Sequence, residues 1–195
     1  MRSFSVNRKT NETDIEMWLQ LEGKGQSEID TGCGFLDHML TLFAKYSRFD
    51  LKVKCIGDVR VDYHHTAEDV GIALGQCIRG ALGDKRGIER YGSFTLPMDE
   101  ALVLCALDIS GRCTLRYTLE PPAQRVGDFD TELVEEFFLG LCREACMTLH
   151  LKKLDGTNTH HVIEGAFKAF GKAMRMAVAI DEAFADEIPS TKGVL

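Results

Sequence analysis

The sequence predicts an α+β fold built from two similar halves, residues 1–92 and 93–195, packed as a pseudo-two-fold pair into one compact domain. Three observations carry this expectation. Short stretches of alternating hydrophobicity interleave with stretches of helical spacing. Each half opens on paired strands, which favours two packed β/α halves over a doubly wound parallel sheet. The second half also repeats the first. A shift of 96 residues lays His64, His65, Glu68, Ala73, Gly75, Arg79 and Ala81 onto His160, His161, Glu164, Ala169, Gly171, Arg175 and Ala177. The stretch "FLDHML" meets "LVEEFF" at a shift of 98.

Each element follows from its pattern. "DIEMWLQLEG" places Ile15, Met17, Leu19 and Leu21 on one face, a half-buried strand to which "RSFSVNRKT" pairs across "NE". "GFLDHMLTLFAKYS" carries Leu36, Met39, Leu40 and Phe43 at helical spacing. "DLKVKCIG" alternates through Leu51, Val53 and Cys55, and helical spacing returns from His64 to about Leu82. In the second half, "EALVLCALDIS" and "RCTLRYTLE" read as strands paired through a turn near Gly111. "DTELVEEFFLGLCREACMTL" reads as a helix with Asp130 or Thr131 as N-cap. "LHLKKLDG" is a short strand, His160 to about Glu182 a long helix, and the tail "DEIPSTKGVL" has no period.

Composition excludes several classes. A chain that is 45% hydrophobic can bury a sizeable core, but no apolar run nears the roughly 20 residues of a membrane span, and the N-terminus does not read as a signal peptide. A net charge of −7 argues against general nucleic-acid binding, which needs a basic surface, yet leaves room for a small anionic substrate. The odd count of seven cysteines, set mostly in apolar segments, points to buried thiols in a reducing cytoplasm. Cys33 lies nearest the candidate chemistry but off its pattern, and His150, without a repeat partner, reads as structural. Phe35, Phe137 and Phe138 read as core before interface.

The chemistry concentrates in "DYHHTAED" and "NTHHVIEG". On a helix, positions i and i+4 share a face while i and i+1 diverge by about 100°. His64 can therefore grip an ion with Glu68, and His160 with Glu164, while His65 and His161 point elsewhere. Under a two-fold between the halves, each outlying histidine completes the other site, giving His64, Glu68, His161 and His160, Glu164, His65. His38 and its repeat partner Glu136 are the further donors. One His-His-x-x-Glu at a helix start is often only a polar first turn; two copies in register point to metal. Imidazole and carboxylate without thiolate suit Mn²⁺ or Fe²⁺ better than structural Zn²⁺.

The motifs "TGCGFLDHML", "DYHHTAED", "DGTNTHHVIEGAFKAF" and "PSTKGVL" resemble those of the imidazoleglycerol-phosphate dehydratases, from Asn11 to the C-terminus. The resemblance implies the monofunctional form, a duplicated ribosomal-protein-S5-domain-2-like fold, and a homo-oligomeric 24-mer whose active sites are shared between subunits. It implies two Mn²⁺ per site, one on His38, His65, His160 and Glu164 and the other on His64, Glu68 and His161. Where many relatives carry histidine, this chain has Glu136, which can replace imidazole on Mn²⁺ directly or through water.

The same resemblance implies substrate contacts at Glu12, from His38 through Lys45 and Tyr46, at Arg90, Arg112 and Lys168, and at Ser190, Thr191 and Lys192. The histidines and glutamates of the metal set, His64, His65, Glu68, His160 and His161, would contact substrate too. Arginine and lysine with backbone N–H groups can cradle a phosphate monoester. The implied reaction turns imidazole glycerol phosphate into imidazole acetol phosphate and water. Glu12, Glu68 and Glu164 are the catalytic carboxylates; Glu12 is the candidate for handling the proton, with coordinated water as competitor. Two rivals remain. A dinuclear hydrolase would release inorganic phosphate instead of a keto product. A metal-storage protein would bind metal without turnover and leave "PSTKG" without a role.

Overall fold

The computed structural model describes residues 1–195. Strands β1 (Ser3–Lys9), β2 (Thr13–Gln20) and β3 (Ser27–Asp30) lead to helix α1 (Gly34–Ser47), β4 (Asp50–Gly57) and α2 (His64–Leu82). Strands β5 (Tyr91–Met98), β6 (Ala101–Asp108) and β7 (Thr114–Thr118) start a second round. A small hairpin, β8 (Arg125–Val126) and β9 (Phe129–Asp130), precedes α3 (Leu133–Ala145), β10 (Thr148–Asp155) and α4 (Thr159–Ala177). The two four-stranded sheets run β1-β2-β4-β3 and β5-β6-β10-β7, so corresponding strands take corresponding places. Only β3 on β4 and β7 on β10 are parallel within these sheets. The duplication read from the histidine motifs thus extends to the topology. The β8–β9 hairpin accounts for its changing offset: β2 and β6 begin at Thr13 and Ala101, a shift of 88, whereas His64 and His160, beyond the hairpin, differ by 96. No helix is long and apolar enough to cross a membrane.

Four local expectations are corrected. First, β6 does not pair with β7; β10 lies between them and β5 takes the other side of β6. Second, β3 and β5, each at a sheet edge, escaped the sequence reading: one is four polar-rich residues, and Pro97 masks the alternation of the other. Third, the cap of α3 is Glu132, without a side-chain cap bond, because Asp130 is held in β9 by Arg125 and the Thr131 hydroxyl donates to the Ala123 carbonyl. Fourth, α4 stops at Ala177. The Arg90 N–H donates to the Ala177 carbonyl at 2.9 Å and Glu89 N–H to that of Ala179, drawing the following chain into a bridge between Ile88 and Ile180.

The helices lie between the sheets. Helix α2 packs on β1 and β2 and α4 on β5 and β6, while α1 meets α4 and α2 meets α3 across the middle. Alternation along β2 and β6 supplies one buried face per sheet. Aromatic rings knit the halves. Phe170 stacks on Phe43 of α1 at 5.2 Å between centroids and meets Phe138 of α3 edge-on at 5.4 Å. Each such pair contributes about 0.5–1.5 kcal/mol beyond simple burial. Glycines bring the helix backbones close. A methyl group on Gly171 would stand 3.0 Å from the Phe43 carbonyl, and one on Gly71 only 2.2 Å from that of Phe137.

Gly71→Ala should therefore lower the unfolding free energy by about 1–3 kcal/mol, because overpacking outweighs the gain in helix propensity. Gly34→Ala, where no atom lies within 4 Å of the added methyl, should leave the melting temperature unchanged or raise it. Equal melting temperatures for both variants would contradict the close approach of α2 and α3.

Candidate active site

The close crossing of α1 on α4 makes the first cluster. His38 projects from α1, and His160 and Glu164 from successive turns of α4. One oxygen of Glu164, Oε2, lies 3.1 Å from His38 Nε2 and 3.1 Å from His160 Nε2. One ligand atom from each residue lies within 4.8 Å of the other two. The other oxygen, Oε1, takes a 2.6 Å contact from Lys168 Nζ one turn further on. Glu164 is only 7% exposed, and burial alone would raise its pKa; hydrogen bonds from Lys168 and His38 reverse that and hold it below the ordinary carboxylate value. Phe35, half-buried, sets its ring edge-on to His160 at 5.3 Å and limits that imidazole's rotation. Asn158 caps α4 by accepting the His161 N–H.

The equivalent place in the other helix pair does not close. His64 and Glu68 share a face of α2, and Glu136 stands on α3 where His38 stands on α1, but Glu68 leans toward Arg143 at 3.9 Å. The neighbouring histidines turn away, as their positions on the helix require, and each finds carboxylates. His65 Nδ1 is 2.9 Å from Asp58 and its Nε2 is 3.6 Å from Glu12. His161 Nδ1 is 2.7 Å from Glu100 and its Nε2 is 3.8 Å from Asp99. Donating hydrogen bonds to Asp58 and Glu100 raises the two imidazole pKa values, and that of Glu100 falls to about 2. Within one chain, neither histidine joins the cluster of the opposite half. The sequence reading missed Asp58, Asp99 and Glu100. "DEA" (99–101) leads into β6 as "NET" (11–13) leads into β2, and comparing the halves at the strand offset rather than the histidine offset would have found Glu100 as the counterpart of Glu12.

Lys168 apart, the arginines and the basic tail lie elsewhere. Arg90 pairs with Asp108 at 2.7 Å and donates from Nη1 to the Pro189 carbonyl at 2.8 Å, fastening the tail. Arg112 follows Gly111, and a methyl group on Gly111 would come within 2.8 Å of the Leu195 carboxyl carbon. Ser190 accepts the N–H groups of Lys192 and Gly193 in a tight turn, with Thr191 exposed at its tip. These groups gather at the C-terminal end of α4, where Arg90 bonds to Ala177, whereas His160 is at its N-terminal end. Seventeen residues of helix separate the two ends, about 25 Å at a rise of about 1.5 Å each. Lys45 and Tyr46 end α1; Lys45 is exposed and the Tyr46 ring lies 5.4 Å from Lys168 Nζ. His150 is exposed on β10, and five of the seven free cysteines, Cys33 among them, are buried.

Imidazoles and carboxylates gathered on paired helices of a duplicated α+β fold form a donor cluster of the kind that could hold a metal ion, as in enzymes that work through bound metal. Comparison with known proteins narrows that class. The family model described as imidazoleglycerol-phosphate dehydratase matches residues 31–174. The dehydratase of Desulforamulus reducens is 58% identical over 100% of this chain and 98% of its own, and that of Roseobacter denitrificans 54% over the whole of both. Among solved structures, the Staphylococcus aureus enzyme superposes with a TM-score of 0.84 at 39% identity, covering 92% of this chain and 99% of its own. The Pyrococcus furiosus enzyme in complex with (S)-C348 gives 0.82 at 38%, covering 97% and 100%. The chain belongs to the imidazoleglycerol-phosphate dehydratase family, hydro-lyases of histidine biosynthesis.

The Glu164–Lys168 pair is open to a direct test in metal-free protein. Glu164 titrates below its ordinary value, so its contribution to stability is full above that value and is lost as pH falls through the lowered one. Lys168→Met should cost about 1.5–3 kcal/mol at neutral pH, the worth of a hydrogen bond to a charged group. The gap between wild type and variant should narrow as pH falls through the lowered carboxylate range and Glu164 protonates. Thermal melts across that range check it, and a gap independent of pH would refute the pairing.

Proposed function

We propose that this chain is a metal-dependent dehydratase that converts imidazole glycerol phosphate to imidazole acetol phosphate and water, with two Mn²⁺ per site, in a homo-oligomer whose sites are shared between subunits, a 24-mer by family resemblance. The observation that carries the reading is the convergence of His38, His160 and Glu164, with ligand atoms all within 4.8 Å. Two nitrogens and a carboxylate oxygen, with no thiolate, form a donor set that fits Mn²⁺. His64, Glu68 and Glu136 hold the equivalent positions for a second ion. His65 and His161, pointing away from their own clusters, are free to complete those of neighbouring copies.

Helix length supports the sharing. A small phosphate ester cannot span the about 25 Å between the imidazole end and the arginine end of α4. Imidazoles from one copy and Arg90, Arg112 and the Ser190–Lys192 turn from another would hold the two ends of one substrate. Unbridged thiols support the cytoplasm as compartment.

The reaction breaks one C–O and one neighbouring C–H bond, releases water, and leaves an enol that becomes the ketone. Bound divalent ions would supply Lewis acidity that favours the anionic form of the substrate imidazole and weakens the adjacent C–O bond. The chain's residues do the rest. Arg90, Arg112 and the tail anchor the phosphate. Lys168 keeps Glu164 ionised and oriented. Glu12, exposed and 3.6 Å from His65 Nε2, accompanies that histidine into the shared site and takes up the proton.

Chelator-stripped protein given imidazole glycerol phosphate should form no keto product until Mn²⁺ is restored. Inorganic phosphate instead of ketone would make it a hydrolase, and turnover without metal would remove the ions from the mechanism. Sharing has its own test. His38→Ala and Arg90→Ala chains, each inactive alone, should regain activity when co-assembled, because some mixed sites then hold both intact residues. Mixtures as inactive as their parents would place each site within one chain.

A further inference from the structure

The two outward histidines have the same environment, reached by different routes. Asp58 follows β4 and accepts from His65; the residue following β10 in the same place is Gly156, which offers no side chain. Glu100 precedes β6 and accepts from His161; its counterpart ahead of β2 is Glu12, which faces the other nitrogen of His65. The halves therefore did not simply inherit one contact. Each supplies a carboxylate to Nδ1 from a different loop, which is what a requirement on the imidazole, rather than on loop packing, would produce.

An ionised carboxylate only accepts, so in the neutral ring of His161 the proton sits on Nδ1, 2.7 Å from Glu100, and Nε2, which has Asp99 no nearer than 3.8 Å, presents its lone pair. We propose that Glu100 is a positioning residue that fixes this tautomer of His161 and so leaves Nε2 free to ligate metal. The inference rests on the metal-binding reading above. Metal-ligating histidines commonly donate their other N–H to a carboxylate, which sets both tautomer and ring orientation.

Glu100 also has a structural task that must be separated from this one. Its Oε1 accepts the backbone N–H groups of Thr157 and Asn158, at 3.2 and 2.7 Å, and ties down the loop ahead of α4. Its Oε2 faces His161 Nδ1. Glu100→Gln separates the two roles. The amide oxygen stays with the two backbone donors, since turning it would set NH2 against two N–H groups. The amide NH2 then faces Nδ1, which must become an acceptor, and the ring proton moves to Nε2, where it blocks ligation. A change of one hydrogen-bond polarity is enough to select the wrong histidine tautomer.

The test uses full-length protein labelled with ¹⁵N-histidine, sedimented for solid-state NMR, with His161→Gln to assign the signal. In metal-free wild type, at a pH alkaline enough for the ¹⁵N shifts to report a neutral ring, His161 should be protonated on Nδ1; in Glu100→Gln, on Nε2. The Gln variant should bind Mn²⁺ about 10–100-fold more weakly by chelator competition, with the metal-free melting temperature unchanged. Glu100→Asp, which keeps an acceptor, should restore the wild-type tautomer. An unshifted proton in Glu100→Gln, or a shifted proton with undiminished Mn²⁺ affinity, overturns the proposal. A wild type that binds no Mn²⁺, while the proton still moves in the variant, removes the metal reading and keeps Glu100 as the group that sets the His161 tautomer.

Discussion

The close contact between helix backbones is the constraint on which the rest of this structure depends. Gly171 lets α4 lie against the Phe43 carbonyl of α1, and Gly71 lets α2 lie against that of Phe137 on α3. A protein interior is packed too densely for such a crossing to tolerate an extra methyl group unchanged. At this separation His38 reaches across to an oxygen of Glu164 that His160 also touches. Phe170, held between Phe43 and Phe138, fixes the same layer from within. Core and site are thus built by one set of helix crossings, and the sheets outside them serve chiefly to cover and orient the helices.

Electrostatics follow from that geometry. A carboxylate as buried as that of Glu164 is costly unless paired, and Lys168, one turn away on the same helix, provides the pairing. His65 and His161 lie nearer to solvent and are held by loop carboxylates instead. The helix carrying His160 at one end meets Arg90 at the other, so groups suited to an imidazole and groups suited to a phosphate are kept apart within a chain. Such separation is the ground on which the proposed reaction would need groups from more than one copy.

Strands with one face on the core were legible because burial imposes alternation. β2, β4 and β6 show it plainly and were read with nearly their observed bounds. β3 and β5 were not, since an edge strand pairs on one side only and its sequence is under weaker constraint. The pairing of β7 with β10 was equally hidden: strands adjacent in sequence usually pair, and β10 arrives between β6 and β7 only after a hairpin and a helix. Likewise the β9 pairing of Asp130 and the capture of the Ala177 carbonyl by Arg90 are tertiary events that overrode local helix signals.

For the site, the sequence by itself determined which residues could act together along a helix. His160 with Glu164 and His64 with Glu68 follow from the helical period alone, and the repeat made His38 and Glu136 equivalent. It could not determine which of these donors converge, because that depends on the crossing of α1 over α4 and on a side chain as near as Arg143 drawing Glu68 aside. Nor could it place Asp58 and Glu100 on the outward imidazoles, since those contacts join loops to helix starts at separations that no local period encodes. Periodicity is a property of one element; the meeting of two elements is set by packing, and only the tertiary structure decides it.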